Sequence, residues 1–298
     1  MRFDNATTTA SGNVAPSATI VGGSTTLDNP TFIRLDVSAD RLYVANSGGP
    51  SILVFESIST KDANAAPDRT ISGPDLVVPI DVAVDTSLDL LYVADDIDVF
   101  VYTSASTANG TNLTAAHDIT TPITASIGGI FLDAANDRLF VSDPSGNAVE
   151  IYDNASSLDG TVSPTRTIQG AATHLAAPSS LQLDGSGRLV VSNSSASGPS
   201  ITIYAANVIS TGTGAINAIP VGEIKGASTG FDRPDQIAVD TSGTGTVYNV
   251  DSGAARVAAF TNLSTATGNI APARTISGSN TGISLASTPK GIAIDNSR

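Results

Sequence analysis

The sequence predicts an all-β chain folded as a six-bladed β-propeller of antiparallel blades. Two observations carry this: a strand-like phrase that recurs six times, and two termini that share one copy of the repeat. The phrase is Pro-x-x-apolar-x-apolar-Asp. It reads PTFIRLD from Pro30, PIDVAVD from Pro79, IGGIFLD from Ile127, PSSLQLD from Pro178, PDQIAVD from Pro234 and PKGIAID from Pro289. The starts lie 49, 48, 51, 56 and 55 residues apart, and a period near 40–50 residues is that of a propeller blade of four strands.

Each repeat contains three further strand-like runs. After the Asp and a polar turn come RLYVAN (41–46), LLYVAD (90–95), RLFVSD (138–143), RLVVSN (188–193) and TVYNVD (246–251). These second runs are apolar almost without alternation, as a strand is when both its faces are buried between stacked blades. A third run follows as ILVF (52–55), VFVY (99–102), VEIY (149–152), ITIY (201–204) and VAAF (257–260), and a fourth as PDRTISG (67–73), PTRTIQG (164–170) and PARTISG (272–278). Short β-branched and aromatic runs bounded by Gly, Pro, Asn, Asp and Ser are strands.

Ring closure is read from the ends. Residues 1–22, MRFDNATTTASGNVAPSATIVG, match VAAFTNLSTATGNIAPARTISG at 257–278 nearly phrase for phrase. The chain thus opens inside a repeat whose first strand, GIAID, stands at the other terminus. One propeller domain over 1–298 is expected, its sixth blade shared between 289–298 and 1–29. The repeat also contains a gap. Arg298 falls where Arg41, Arg138 and Arg188 stand, and Phe3 matches Phe55 and Phe260, so the equivalent of Leu42 to Leu53 is absent. The expectation is a ring that is not self-sufficient, completed by a longer polypeptide or by a strand from a neighbouring subunit.

Composition excludes several chemistries. The 298 residues include no Cys, no Trp, one Met and two His (His117 and His174). Disulfides, thiolate nucleophiles and Cys-ligated metals are ruled out, and a His-rich metal site or Ser-His-Asp triad lacks raw material. G-x-S-x-G does not occur. Net charge is −14, a sign that repels nucleic acid and anionic membranes. No apolar run has the length of a membrane span. The Thr, Ser, Ala, Gly and Asp-rich composition, with Lys only at 61, 225 and 290, points to an extracellular or cell-surface protein. The first residues lack the basic and apolar regions of a signal peptide, so any leader would lie outside this sequence.

The repeated phrases Pro-x-x-Ile-Ala-Val-Asp, Arg-Leu-Tyr-Val-Ala-Asp and Gly-Asn-Ala-Val-x-Ile-Tyr resemble the NHL repeat of six-bladed propellers. YDNASSLDGTVSPTRTIQG (152–170) is similar to a longer NHL-like repeat of exported prokaryotic proteins. The resemblance covers essentially the whole chain. It implies a propeller and leaves function open, since such propellers serve as docking platforms, RNA binders, lyases and lactonases. RNA-binding members use a basic face, from which this chain departs.

The candidate site residues fall in two rings. Asp36, Asp85, Asp133, Asp184, Asp240 and Asp295 close the first strands. They read either as an acidic ring or as carboxylates that cap the turn to the next strand. A residue needed equally by every blade favours the turn. Asn46, Asp95, Asp143, Asn193 and Asp251 end the second strands. In gluconolactonase-like and strictosidine-synthase-like six-bladed families, acidic and amide groups from several blades converge near this point, often on a divalent ion. The resemblance therefore makes Asp95, Asp143 and Asp251 candidate calcium ligands, with turn capping as the alternative. No D-x-D-x-D-G loop occurs, and Glu stands only at 56, 150 and 223.

Three residue sets have simpler readings. His117 and His174 read as turn or surface residues. Asn-x-Ser/Thr sequons at Asn5, Asn112, Asn154, Asn193 and Asn262 read as glycosylation sites or as good turn residues. Arg69, Arg166 and Arg274 read as charges that blunt outer edge strands, with the Thr/Ser/Ala-rich segments 57–66, 103–116, 155–163, 205–218 and 262–271 as loops leading to those edges.

Two functions from different classes follow. The favoured one is a non-enzymatic exported or surface module for protein binding or assembly, filaments and surface layers included. The other is a metal-dependent hydrolase, lactonase or lyase with its site at the channel mouth. Catalytic and cofactor residues are expected to be none, because no blade carries a polar cluster that its sisters lack.

Overall fold

In a computed structural model, which describes residues 1–4, 12–242 and 245–295, the repeats become five β-sheets. The first blade is β1 (Pro30–Asp36), β2 (Arg41–Asn46), β3 (Ser51–Glu56) and β4 (Arg69–Ile71), and the second is β5 (Pro79–Asp85), β6 (Leu90–Asp95), β7 (Asp98–Thr103) and β8 (His117–Thr120). The third is β9 (Ile130–Asp133), β10 (Arg138–Asp143), β11 (Ala148–Asp153) and, after the two-residue β12 (Gly160–Thr161), β13 (Arg166–Ile168). The fourth is β14 (Pro178–Leu183), β15 (Leu189–Asn193), β16 (Ser200–Tyr204) and, after the short helix α1 (Ala206–Ser210) and β17 (Gly214–Ile216), β18 (Gly222–Lys225). The fifth is β19 (Pro234–Asp240), β20 (Thr246–Asp251), β21 (Arg256–Thr261) and β22 (Arg274–Ile276). Within a blade the ladders are antiparallel and consecutive.

The expected sixth blade is not formed: the propeller has five blades. Among the described residues, neither 289–295 nor the N-terminal segment belongs to a sheet. Within itself the described N-terminal segment keeps one bridge, Arg2 with Ala18, at the repeat positions of the Val54–Arg69 pair in the first blade. The backbone amide of Ile292 donates to the Gln236 side-chain oxygen at 2.6 Å. A ladder needs paired backbone groups along several residues, and those between the two terminal segments are absent. They line a seam between the fifth and first blades instead.

Successive first strands contact one another around a common axis, β1 to β5 to β9 to β14 to β19. Side chains stitch them. The Thr31 hydroxyl donates to the carbonyl of Ile80 at 2.7 Å. Ile130 N–H donates to Asp81 at 2.9 Å, and Val239 N–H to the Gln182 oxygen at 2.8 Å. Gln236 both accepts from and donates to the Ile33 backbone at 3.5 and 3.2 Å. Blade three contributes glycine here. A Cβ on Gly129 would stand 2.7 Å from the Ser179 carbonyl and 3.0 Å from both Asp81 and the Phe32 ring. Side chains therefore pack the axis.

A second set of contacts runs around the rim. The loop after each third strand meets the outer strand of the preceding blade in parallel. Gly110 bridges Ile71, β12 pairs with β8, β17 with β13, and Gly268 bridges Ile224. The series continues through the N-terminal segment, where Gly12 bridges Ile276 and Ile20 bridges Ala63. Beside four of these bridges an Asn clamps a Gly of the preceding unit. Asn64 accepts from Ser24 N–H at 2.8 Å, Asn217 from Ala172 at 2.9 Å, Asn269 from Ser228 at 2.7 Å and Asn13 from Asn280 at 2.6 Å. The clamped Gly226 has φ 115°, and a Cβ there would lie 2.6 Å from the Asn269 oxygen. Gly226→Ala meets both left-handed strain and that clash, so it should lower unfolding free energy by about 1–3 kcal/mol, read by denaturant titration.

The first-strand aspartates act in turns, as the capping reading expects. Asp85 accepts from Ser87 N–H at 2.8 Å, the Ser87 hydroxyl at 2.6 Å and Leu88 N–H at 3.0 Å. Asp36, Asp184 and Asp240 accept from the same kind of turn amides. Asp133 departs, since it accepts the Asn136 side-chain amide. Asp85→Ala should therefore cost about 1–2 kcal/mol of stability, by analogy with lost caps and buried hydrogen bonds, and show as a lower melting temperature.

Candidate functional site

The second ring is spent on the backbone. Asp95 is buried and accepts from Val77 N–H at 2.7 Å and Val78 N–H at 2.9 Å. Burial raises its pKa, against those two bonds. Asp251 is fully buried and accepts from Asp232 at 3.0 Å, Arg233 at 2.8 Å and Ala254 at 3.1 Å. Asp143 caps its own turn through Gly146 N–H at 2.8 Å and the Ser145 hydroxyl at 2.7 Å. Asn46 and Asn193 accept from Asp28 and Ala176 N–H. Each residue ties its second strand to a nearby turn or to the loop before the first strand. Among the described residues, no three His, Asp or Glu side chains gather where they could hold a metal ion, so Asp95, Asp143 and Asp251 are not brought together.

The outer-strand arginines correct another expectation. They are not edge charges turned to water. Arg166 and Arg138 both grip Asp153, each at 2.6 Å, and Arg166 reaches the Gly212 carbonyl of the next blade's loop at 3.2 Å. Burial would raise the Asp153 carboxyl, yet the two guanidinium groups hold it below its usual range. Arg41 and Arg69 grip Glu56 in the same way, at 2.7 and 2.9 Å. Arg274 donates to the Tyr248 hydroxyl at 3.0 Å. The rim loops already cover these strands, so the charge serves cohesion.

His117 opens β8 at the position of those arginines. His174 stands in the left-handed region with its Nδ1 3.1 Å from Glu223. Asn154 and Asn262 have φ 58° and 56°, which fits the turn reading of their sequons. Asn193 is fully buried, and Asn5 lies outside the described residues.

Among the buried acids, Asp81 and Glu150 stand where the sister units carry no carboxylate. Asp81 sits at the axis, where burial pushes its pKa up to about 6 against Arg34 and the Ile130 and Val82 amides. Glu150 occupies the third-strand position of Leu53 and Phe100. It faces the second blade and accepts from the Tyr152 hydroxyl at 2.5 Å. Burial raises its pKa to about 7, the Tyr152 bond opposing and Asp143 adding. A carboxyl whose folded pKa is raised binds its proton more tightly when folded. Its contribution is full below the unfolded value of 4.5 and is lost as pH climbs through about 7, at most roughly 3 kcal/mol by linkage. Glu150→Gln should flatten the fall of melting temperature between pH 5 and 8 (roughly the window spanned by the two values) and leave the protein more stable than wild type at the alkaline end.

The largest gap in packing is the seam. Four interfaces between consecutive blades each hold a hydrophobic cluster of many buried side chains. The seam-facing side of the first blade buries Val44, Leu53 and Phe55, helped by Leu27, Ile33, Leu42 and Ile58 of the same unit and by Ile20 from across the seam. Beside it opens a cleft of about 350 Å³ lined by Thr26, Asn46, Pro50, Leu53, Thr70 and Ser72. Sequence reasoning missed the cleft, whose polar lining comes from loops and strands of one unit. It also missed the clamps, although Asn-x-x-Pro at 13, 64, 217 and 269 was legible.

Comparison with known proteins shows the fold. No family model and no curated protein matches the chain. Among solved structures, 851 chains match. One is Kuenenia stuttgartiensis hydrazine synthase, with a TM-score of 0.53 and 13% identity over 80% of this chain and 78% of that one. At that identity the likeness is one of β-propeller architecture. No described helix is long and apolar enough to cross a membrane.

Proposed function

We propose that the chain is a non-enzymatic propeller module of an exported or cell-surface protein, one that binds or assembles with protein partners by taking an extended segment into the seam between its fifth and first blades. The carrying observation is the cleft of about 350 Å³ against the thinly covered face of the first blade. The four other contacts between blades are each sealed by a large apolar cluster. The polar rings that could have served chemistry cap turns instead. The NHL-like phrases and the acidic, Thr/Ser-rich composition support the same reading, as does strand addition as a general mode of recognition. A displayed library of extended peptides, panned against the chain, tests it. Selected peptides should slow hydrogen exchange at residues 291–294 and 18–20. Footprints confined to the loops around Asp95, Asp143 and Asp251, or ester hydrolysis abolished by Asp143→Ala, would overturn it in favour of a channel-mouth site.

A further inference from the structure

Resting on that reading, we infer that the seam selects a segment with an aromatic side chain, a small residue two positions later, and a β-branched residue after a turn. The pattern comes from what covers the equivalent face in the other blades. The face of the second blade is covered by Tyr43, Ala45, Ile52, Val54 and Ile71 of the first. That of the third is covered by Tyr92, Ala94, Val99, Val101 and Ile119. Phe140, Val149, Ile151 and Ile168 cover the fourth, and Val190, Ile201, Ile203 and Ile224 the fifth. The residue two after the aromatic or Val is always small: Ala45, Ala94, Ser142 or Ser192.

At the seam, the outermost member of this set is present as Ile20, which packs on Val44, Leu53 and Phe55. Arg2, bridged to Ala18, holds the position of Val54. No described residue supplies the aromatic, the small residue or the first β-branched one. The cleft floor fits that complement. Leu53 and Thr70 are cross-strand partners on one face, as are Asn46 and Ser51, so an apolar patch lies beside hydroxyl and amide groups. A ring suits the Leu53 end of this floor, since the Asn46 amide and the Ser51 hydroxyl already bond one another and the Gly49 carbonyl. A small residue lets the added backbone approach, as Ala45 and Ala94 do inside the ring.

The probe is a peptide with the sequence of residues 41–52, RLYVANSGGPSI, labelled and titrated into the whole chain with anisotropy as readout. Two controls accompany it: the same peptide carrying Tyr43→Ala, and an alternating Val/Thr peptide of equal length. Saturable binding by the first, weakened at least about tenfold by the Tyr43→Ala change, supports the inference. So does its loss in Thr70→Glu, a cleft-lining variant whose melting temperature should stay at the wild-type value. Equal binding of the Val/Thr peptide would overturn the side-chain pattern while leaving strand addition standing. Binding of no extended peptide would overturn both. If Thr70→Glu unfolds, Ser72→Glu on the same wall replaces it, and undiminished binding there counts against the site.

Discussion

Everything in this molecule depends on one blade holding the next. A four-stranded sheet has two faces to cover and two edges to protect, and no blade manages this alone. The chain answers with the same contact at two radii. Near the axis, side chains of one first strand bond to the backbone of the next. At the rim, the loop after each third strand lays a short parallel bridge on the preceding outer strand, and at four of these contacts an Asn then reaches for that unit's turn amide. The glycine beneath the Asn follows from this. Its left-handed φ and the nearness of the Asn oxygen leave no room for Cβ. Thr25, Thr173, Thr229 and Thr281 complete the turn by bonding back to the glycine carbonyl, each at 2.7 Å.

Cohesion between units also explains the polar residues that look functional in a bare sequence. An acid repeated at every blade edge is easily mistaken for a binding ring. Here Asp85, Asp95 and Asp251 spend their oxygens on the backbone amides of adjoining turns and loops. The arginines of the R-T-I phrase are drawn inward for a related reason. Arg69 and Arg166 each lie between an acid on the third strand and the loop of the next blade, so their charge is neutralised, while Arg274 donates to the Tyr248 hydroxyl. Their sequence pattern resembles edge protection because the strand is outermost, yet the rim bridge has already closed that edge.

Most of the fold was legible from spacing. Eighteen strands lie close to where the recurring phrases put them, because β-branched runs between turn residues admit few other structures. The count of blades was not legible. Matching residues 1–22 to 257–278 correctly identified repeat positions, as the Arg2–Ala18 bridge shows. A match of positions does not make a ladder, which needs continuous paired backbone. The site was less legible than the fold. Glu150 could have been noticed, since it places a carboxyl where sister units have Leu53 and Phe100. The cleft could not, because it arises from how neighbouring units pack, and a single repeat unit read in isolation carries no sign of that.

The seam has a thermodynamic meaning beyond its shape. In a structure built from neighbouring repeats, stability is close to a sum of units and the interfaces between them. Four interfaces here are dense with apolar side chains, and the fifth contact, across the seam, rests on Ile20, Gln236, the Asn13 and Asn64 clamps and a set of backbone bonds. Opening should begin there, since it exposes the least buried apolar surface. Any ligand that binds the closed ring in preference to the open one stabilises the whole by mass action. Occupancy of the seam is therefore coupled to the integrity of all five blades, and a partner at this position would act on the ring as its closing element. The symmetry that makes each blade dependent on its neighbours thus concentrates the weakness of the fold at one place.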